Sequence, residues 1–284
     1  MFTLIDTNKT STFFIGDIHG EFKAIGNWIK QNNLHDCIII FCGDFGLGFS
    51  SIEYESSELK KSNKICEKNN IDCYIIRGNH DDPSYFNDFS PKLNLSHFKT
   101  VSDYTVICTQ KHNILCLGGA ISIDRAYRKS QYRQNIETLI TEKHISRELA
   151  VKKVKQYWWE DEPFIYDETI LDEINKTGVK IDVVASHSAP DFCQPNTKGN
   201  SLYWLRLDKD LENDLYNERL NLTKAYKHIK KLGNDIRYWF YGHYHQHNFE
   251  IIEGTRFTGL DMGRLSKDGS GGVGGIFDMS EMKE

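Results

Sequence analysis

Five short polar clusters, each directly behind an apolar run, constrain this chain more than any other feature of its 284 residues. They read GDIHG at 16–20, GDFG at 43–46, GNHDD at 78–82, SHS at 186–188 and GHYH at 242–245. The runs before them (12–15, 37–42, 73–76, 181–185 and 236–241) are rich in β-branched and aromatic residues and read as buried strands. Four of the five clusters open with glycine, which lets the backbone turn sharply and approach a bound group closely. In α/β sheets, ligands collect beyond the carboxyl ends of strands, so clusters far apart in sequence are expected to meet in one place.

The remaining pattern supplies a frame for those strands. Further strands are expected at 105–108, 114–117, 249–252, 256–260 and 275–279. Helical spacing marks 21–31, 53–69, 145–158, 168–176 and 208–232. The last of these carries Leu211, Leu215, Leu222, Tyr226 and Ile229 along one face and stops at Gly233. Strand–helix alternation early and closely spaced strands late imply an α/β fold whose sheets pack on each other. No linker divides the chain, so residues 1–284 read as one domain; the charged, aromatic stretch 120–164 reads as an insertion facing the substrate. The Gly-rich segment 268–275 lacks the Lys-Ser/Thr of a phosphate loop and reads as a turn before the last strand.

Bulk charge narrows the partners. A net charge of −5 gives no overall basic field, which disfavours long nucleic acid. The seven cysteines form no CxxC pair and fit a reducing compartment. With no signal-peptide pattern and no apolar run of bilayer length, the expectation is a cytoplasmic protein without a membrane partner.

The clusters also hold the right kind of atoms for metal. Asp17 and His19, two apart, project to the same side of an extended segment, and His243 and His245 repeat that geometry. Asp44 offers a carboxylate able to bridge two cations, Asn79 a neutral carbonyl oxygen, and His187 a further imidazole. Oxygen and imidazole donors without thiolate suit Mn²⁺, Fe or Zn²⁺, and they outnumber the needs of one closed structural zinc.

Taken in order from Asp17 to His245, the motifs D-x-H, G-D, G-N-H-D, H and G-H-x-H resemble those of the calcineurin-like metallophosphoesterase family. The resemblance implies a four-layer α/β/β/α sandwich of two sheets flanked by helices. It implies hydrolysis of a phosphate ester by hydroxide activated at two divalent ions, Mn²⁺ favoured over Fe or Zn. Asp17, His19 and His245 would hold the first metal, Asn79, His187 and His243 the second, with Asp44 between them. His80 would be catalytic and face the substrate, with Asp81 hydrogen-bonded to its imidazole. Elementary chemistry agrees with those roles. Two divalent ions, two carboxylates and a hydroxide leave about one unit of positive charge to attract phosphate. His80 could protonate or stabilise the departing oxygen.

Departures from the family pattern bear on the substrate. Phosphoprotein Ser/Thr phosphatases of the superfamily carry G-D-x-x-D-R-G and G-N-H-E, whereas this chain reads GDFGLGFS and has Asp81. The arginine that clamps phosphate in those enzymes is therefore missing from its usual place. Arg77, directly before GNHD, and Arg125 and Arg128, just after the turn GGAISID at 118–124, are the candidate replacements. That turn and the pair Trp158-Trp159 resemble a bacterial and phage subgroup of the family, a resemblance that points to no one substrate. The tryptophans would pack the insertion onto the core or stack on a nucleobase. The leading expectation is a small-molecule or nucleotide phosphohydrolase. The alternatives are a nuclease or cyclic-nucleotide phosphodiesterase, a Ser/Thr phosphoprotein phosphatase, and a non-catalytic scaffold.

Overall fold

The run from Cys37 to Cys42 has no polar residue on either side of the pleat, so a strand there needs cover on both faces. A computed structural model, describing residues 1–86, 93, 95–195, 201–265 and 274–281, shows how that cover is built. The first half of the chain runs β1 (Thr3–Asp6), β2 (Ser11–Ile15), α1 (Phe22–Gln31), β3 (Cys37–Phe41), α2 (Ile52–Lys68), β4 (Asp72–Ile75), β5 (Phe98–Thr100), β6 (Thr105–Cys108) and β7 (Asn113–Leu117). Next come α3 (Arg125–Lys143), α4 (Arg147–Lys153), α5 (Glu168–Lys176) and β8 (Val183–Ser186). The chain then adds α6 (Ser201–Leu207), α7 (Leu211–Lys231), β9 (Tyr238–Tyr241), β10 (Asn248–Ile252), β11 (Thr255–Gly259) and β12 (Ile276–Asp278).

The strands form two mixed sheets. One has the order β12-β2-β3-β4-β5 and the other β1-β6-β7-β8-β9-β11-β10. Within the first, β2 through β5 are parallel; within the second, β7, β8, β9 and β11 are parallel. Alternate side chains then choose opposite neighbours. Ile38 and Ile40 of β3 join Tyr74, Ile114, Val183 and Phe240 in a core between the sheets. Cys37, Ile39 and Phe41 join Phe22, Ile25, Trp28 and Leu59 of α1 and α2 on the outer side. In the same way Val184, Trp239 and Tyr241 pack against Leu171 of α5 and Leu222 and Tyr226 of α7. The result is the expected order of helices, sheet, sheet and helices.

Several elements differ from the sequence reading. The helix expected at 145–158 is the shorter α4, and a longer one, α3, precedes it. Its sequence, RAYRKSQYRQNIETLITEK, buries only Ile136 and so shows no apolar stripe to read. Strands β1 and β5 also went unread, being three to four residues long and without an apolar run. Of the Gly-rich turn expected at 268–275, residues 268–273 lie outside the described residues. Among the described residues no helix is long and apolar enough to cross a membrane.

The two sheets are joined most directly by Phe14 and Phe240, whose rings stack at 4.1 Å with 14° between their planes, both fully buried. Phe240→Ala is expected to cost about 3–5 kcal/mol of stability, the range for emptying a buried phenylalanine site. Denaturant unfolding measures this, and a loss below about 1 kcal/mol, typical of a surface site, would contradict the interlayer role.

Candidate metal centre

All five polar clusters sit at carboxyl ends of parallel strands. Asp17 and His19 follow β2, Asp44 follows β3 and Asn79 follows β4, three neighbours in one sheet. His187 follows β8, and His243 and His245 follow β9, which are neighbours in the other. Hydrogen bonds then tie one rim to the other. The His187 Nδ1 donates to the Cys42 carbonyl at 2.8 Å, and the His243 backbone N–H donates to Asp17 Oδ1 at 3.0 Å.

The backbone is bent hard to do this. His19, Asp44, His243 and His245 all have left-handed φ, from 44° to 68°. Each such residue costs of order 1 kcal/mol, and this kind of strain gathers at functional sites. Gly43, with φ of 90°, has no room for a side chain: a Cβ there would lie 2.1 Å from His187 Nδ1. A Cβ on Gly242 would lie 2.2 Å from Asp17 Oδ1. Both glycines are required by close approach of a candidate ligand to the backbone.

Among the described residues, two groups of potential ligands have donor atoms within 4.8 Å of one another: Asp17, His19 and His245, and Asp17, Asp44 and His187. In the first, His245 Nε2 is 2.9 Å from Asp17 Oδ2 and 3.0 Å from His19 Nε2. In the second, one ring proton follows from the neighbours. A carbonyl can only accept, so His187 Nδ1 carries a proton, and Nε2 is the ring atom left to hold a second proton or a cation in the site. That atom faces Asn79 Oδ1 at 2.9 Å and Asp44 Oδ1 at 3.3 Å. Three acceptors this close repel unless a proton or a cation sits among them. The titration behaviour reflects the same demand. Burial disfavours charge on His187, yet the Asp44 carboxylate pushes it up to about 9. Loss of water around His243 and repulsion from His187, whose ring centroid is 5.1 Å away, push that imidazole down to about 3. Burial also opposes charge on Asp44, but His80 and His187 hold its carboxyl well below the usual range. Hard oxygen and imidazole donors arranged so fit divalent cations.

The neighbouring expectations divide. His80 lies at the edge of the group, its backbone N–H on Asp44 Oδ1 at 2.9 Å and its Nε2 3.8 Å from Asp44 Oδ2. Burial lowers the pKa of its ring. The expected bond from Asp81 to that imidazole is corrected. The Asp81 carboxylate instead accepts the backbone N–H groups of Phe45, Gly46, Leu47 and Gly78, at 2.7–3.2 Å. These turning loops leave N–H groups without a sheet partner, and a buried carboxylate satisfies four of them at once.

Of the three arginines, two are corrected. Arg77 is buried and donates to the carbonyls of Asp161, Glu162 and Pro163 and to Asp103. Arg125 is held by Asp208 and Asp214, each at 2.6 Å. Both guanidinium groups are consumed by internal partners. Arg128 lies beside His80: its Nε pairs with Asp124 at 2.7 Å while its Nη2 lies 3.4 Å from His80 Nε2. Trp158 packs within the insertion under Lys129, whose Nζ is 3.8 Å from the ring centroid.

Sequence reasoning missed the layer behind the candidate ligands. Asn79 Nδ2 donates to Ser122 Oγ, which is bonded to the buried Glu162, and Ser188 donates to the buried Glu218. Ser122 lay within the conspicuous GGAISID turn, but no spacing rule pairs residue 122 with 162.

Comparison with known proteins identifies the family. Residues 10–247 match the calcineurin-like phosphoesterase family. No curated protein matches the sequence. Among solved structures, TT1561 of Thermus thermophilus is 10% identical, with 90% of each chain covered and a TM-score of 0.50. A dimetal phosphatase from Danio rerio is 13% identical over 90% of this chain and 88% of its own, with a TM-score of 0.45. Phosphopantetheinyl hydrolase from Mycobacterium tuberculosis is 14% identical over 96% of each chain, with a TM-score of 0.41. The first of these, at 10% identity, speaks to the fold alone, whereas the family match spans most of the sequence. The chain therefore belongs to the calcineurin-like phosphoesterases, hydrolases acting on phosphate ester bonds.

Proposed function

We propose that this chain hydrolyses the phosphate ester of a small molecule or nucleotide. Asp17, His19 and His245 hold one divalent cation, Asn79, His187 and His243 hold the other, and Asp44 lies between, with Mn²⁺ the favoured metal. The observation that carries the reading is the cluster of acceptors around His187 Nε2, 2.9 Å from Asn79 Oδ1 and 3.3 Å from Asp44 Oδ1. Two bound cations would polarise the phosphoryl oxygens and make water a nucleophile near neutral pH.

The chain's own residues supply the rest. His80 stands at the edge of the candidate ligands and is placed to give a proton or a hydrogen bond to the leaving oxygen. Arg128, 3.4 Å from that imidazole, is placed to take a phosphate oxygen, the task left open by the missing motif arginine. Asp81 acts by holding the loops that carry Asp44 and Asn79 in register.

A cavity of about 470 Å³ lies among residues that follow Asp44 and His80 in the chain, but none of the candidate ligands lines it. It is lined by Gly48 and Ser50 beyond Asp44, Asp82 and Tyr85 beyond His80, and Lys155 and Trp159 of the segment 120–164. Arg128, 3.4 Å from His80 Nε2, supports reading 120–164 as a substrate-facing insertion of a single domain. The seven unpaired cysteines support a reducing, cytoplasmic setting.

Purified protein given Mn²⁺ is expected to release phosphate or nucleotide from members of a phosphate-ester panel and to stop when chelator is added. Inactivity across mono- and diesters in Mn²⁺, Fe²⁺ and Zn²⁺ would count against the proposal. Asp44→Asn should weaken both metals, as read by elemental analysis after dialysis. His80→Ala should keep the metal and lose about two to four orders of turnover; a variant emptied of metal would show that His80 is itself a ligand. Arg128→Ala should retain metal and lose about 10–100-fold in kcat/KM, the worth of a charged hydrogen bond to substrate. Unchanged kinetics would remove Arg128 from the site.

A further inference from the structure

We infer that Ser122 and Glu162 form a positioning relay that fixes which end of the Asn79 side chain faces the metals. The inference rests on the proposed role of Asn79 as a ligand.

The argument is one of hydrogen-bond direction. Glu162 is 3% exposed and receives Ser122 twice, from the backbone N–H to Oε1 and from the hydroxyl to Oε2, both at 2.8 Å. A hydroxyl has one proton, and with Glu162 ionised that proton goes to the carboxylate. Ser122 Oγ can then only accept, so the Asn79 atom 2.9 Å away must be the amide nitrogen. The other contacts of that nitrogen, to the ring nitrogens of His80, are longer at 3.4 Å. With Nδ2 committed, Oδ1 is turned toward His187 Nε2 and the cation position. A reversed amide would aim its NH₂ at that position and repel the metal. Asparagine cannot choose between these states unaided, because its two ends are nearly the same shape.

The relay also gives the segment between Ser122 and Glu162 a reason to fold back. Ala120 N–H donates to the Glu162 carbonyl at 3.0 Å, and Arg77 donates to the same carbonyl at 2.9 Å and to that of Asp161 at 2.8 Å. A Cβ on Gly119 would lie 2.5 Å from the Glu162 carbonyl oxygen, so the two stretches are in close backbone contact. Helices α3 and α4 thus leave and return through a clamp that sets a carboxylate behind Asn79. Arg77, buried and bonded to these carbonyls, helps hold that clamp shut.

Reversing the polarity of the relay tests it. In Glu162→Gln the new amide can donate to Ser122 Oγ, freeing the hydroxyl proton to point at Asn79 and favour the flipped amide. Ser122→Ala removes the lock altogether. Calorimetric titration with Mn²⁺ of the full, chelator-stripped chain should show one of two sites weakened about 10–100-fold in each variant, as for other groups that orient a metal ligand. Unfolding of the metal-free variants should stay cooperative. The combination Asn79→Ala with Glu162→Gln should bind Mn²⁺ no more weakly than Asn79→Ala alone, because the relay acts only through that side chain. A further loss in that background would overturn the relay in favour of general loosening. Unchanged affinities in both relay variants, with two Mn²⁺ bound by the wild type, would overturn the relay alone and leave the hydrolase reading in place.

Discussion

The hydrogen bond from His187 Nδ1 to the Cys42 carbonyl, 2.8 Å long, joins the rims of the two sheets and orients the buried half of the site. It commits Nδ1 to the carbonyl and so aims Nε2 at Asp44 and Asn79, where a proton or a cation can be shared. The bond needs both sheets facing each other with their parallel strands running the same way to one rim. It also needs a glycine at 43, where any side chain would strike the ring. Fold and chemistry are therefore a single requirement here. The stacked core of Phe14 and Phe240 fixes the distance between sheets that the bond spans.

Strain at the rim has the same origin. Four of the seven candidate ligands adopt left-handed backbone conformations, at a cost that packing beneath them must offset. The offset is visible. Asp81 gathers four N–H groups from two ligand-bearing loops, and Asp17 accepts the N–H of His243 from the opposite sheet. Such carboxylates hold the turns in place before any cation arrives.

Much of this was legible in the sequence because it is written in local patterns. An apolar run followed by a short polar cluster such as Gly-Asp or Gly-His specifies both a strand and what stands at its end, and five such clusters predicted convergence. What was not legible depends on contacts between distant stretches. Helix α3 is polar on nearly every side, so periodicity could not reveal it. Arg77 and Arg125 look like phosphate ligands by position, but their partners are Glu162, Asp161, Asp208 and Asp214. An arginine's role is set by which acceptor reaches it first, and sequence spacing does not show that. The placement of Asp81 failed for the same reason: backbone N–H groups compete with a neighbouring imidazole, and a turning loop supplies more of them.

The central claim is that seven side chains from five strand ends enclose two cations. Anomalous diffraction from crystals grown with Mn²⁺ tests it directly. The account predicts two manganese peaks about 3.5–4 Å apart, the spacing of two-metal hydrolytic sites, with Asp44 touching both and Asn79 Oδ1 and His187 Nε2 on one of them. A single peak, or peaks away from the carboxyl ends of β2, β3, β4, β8 and β9, would contradict it.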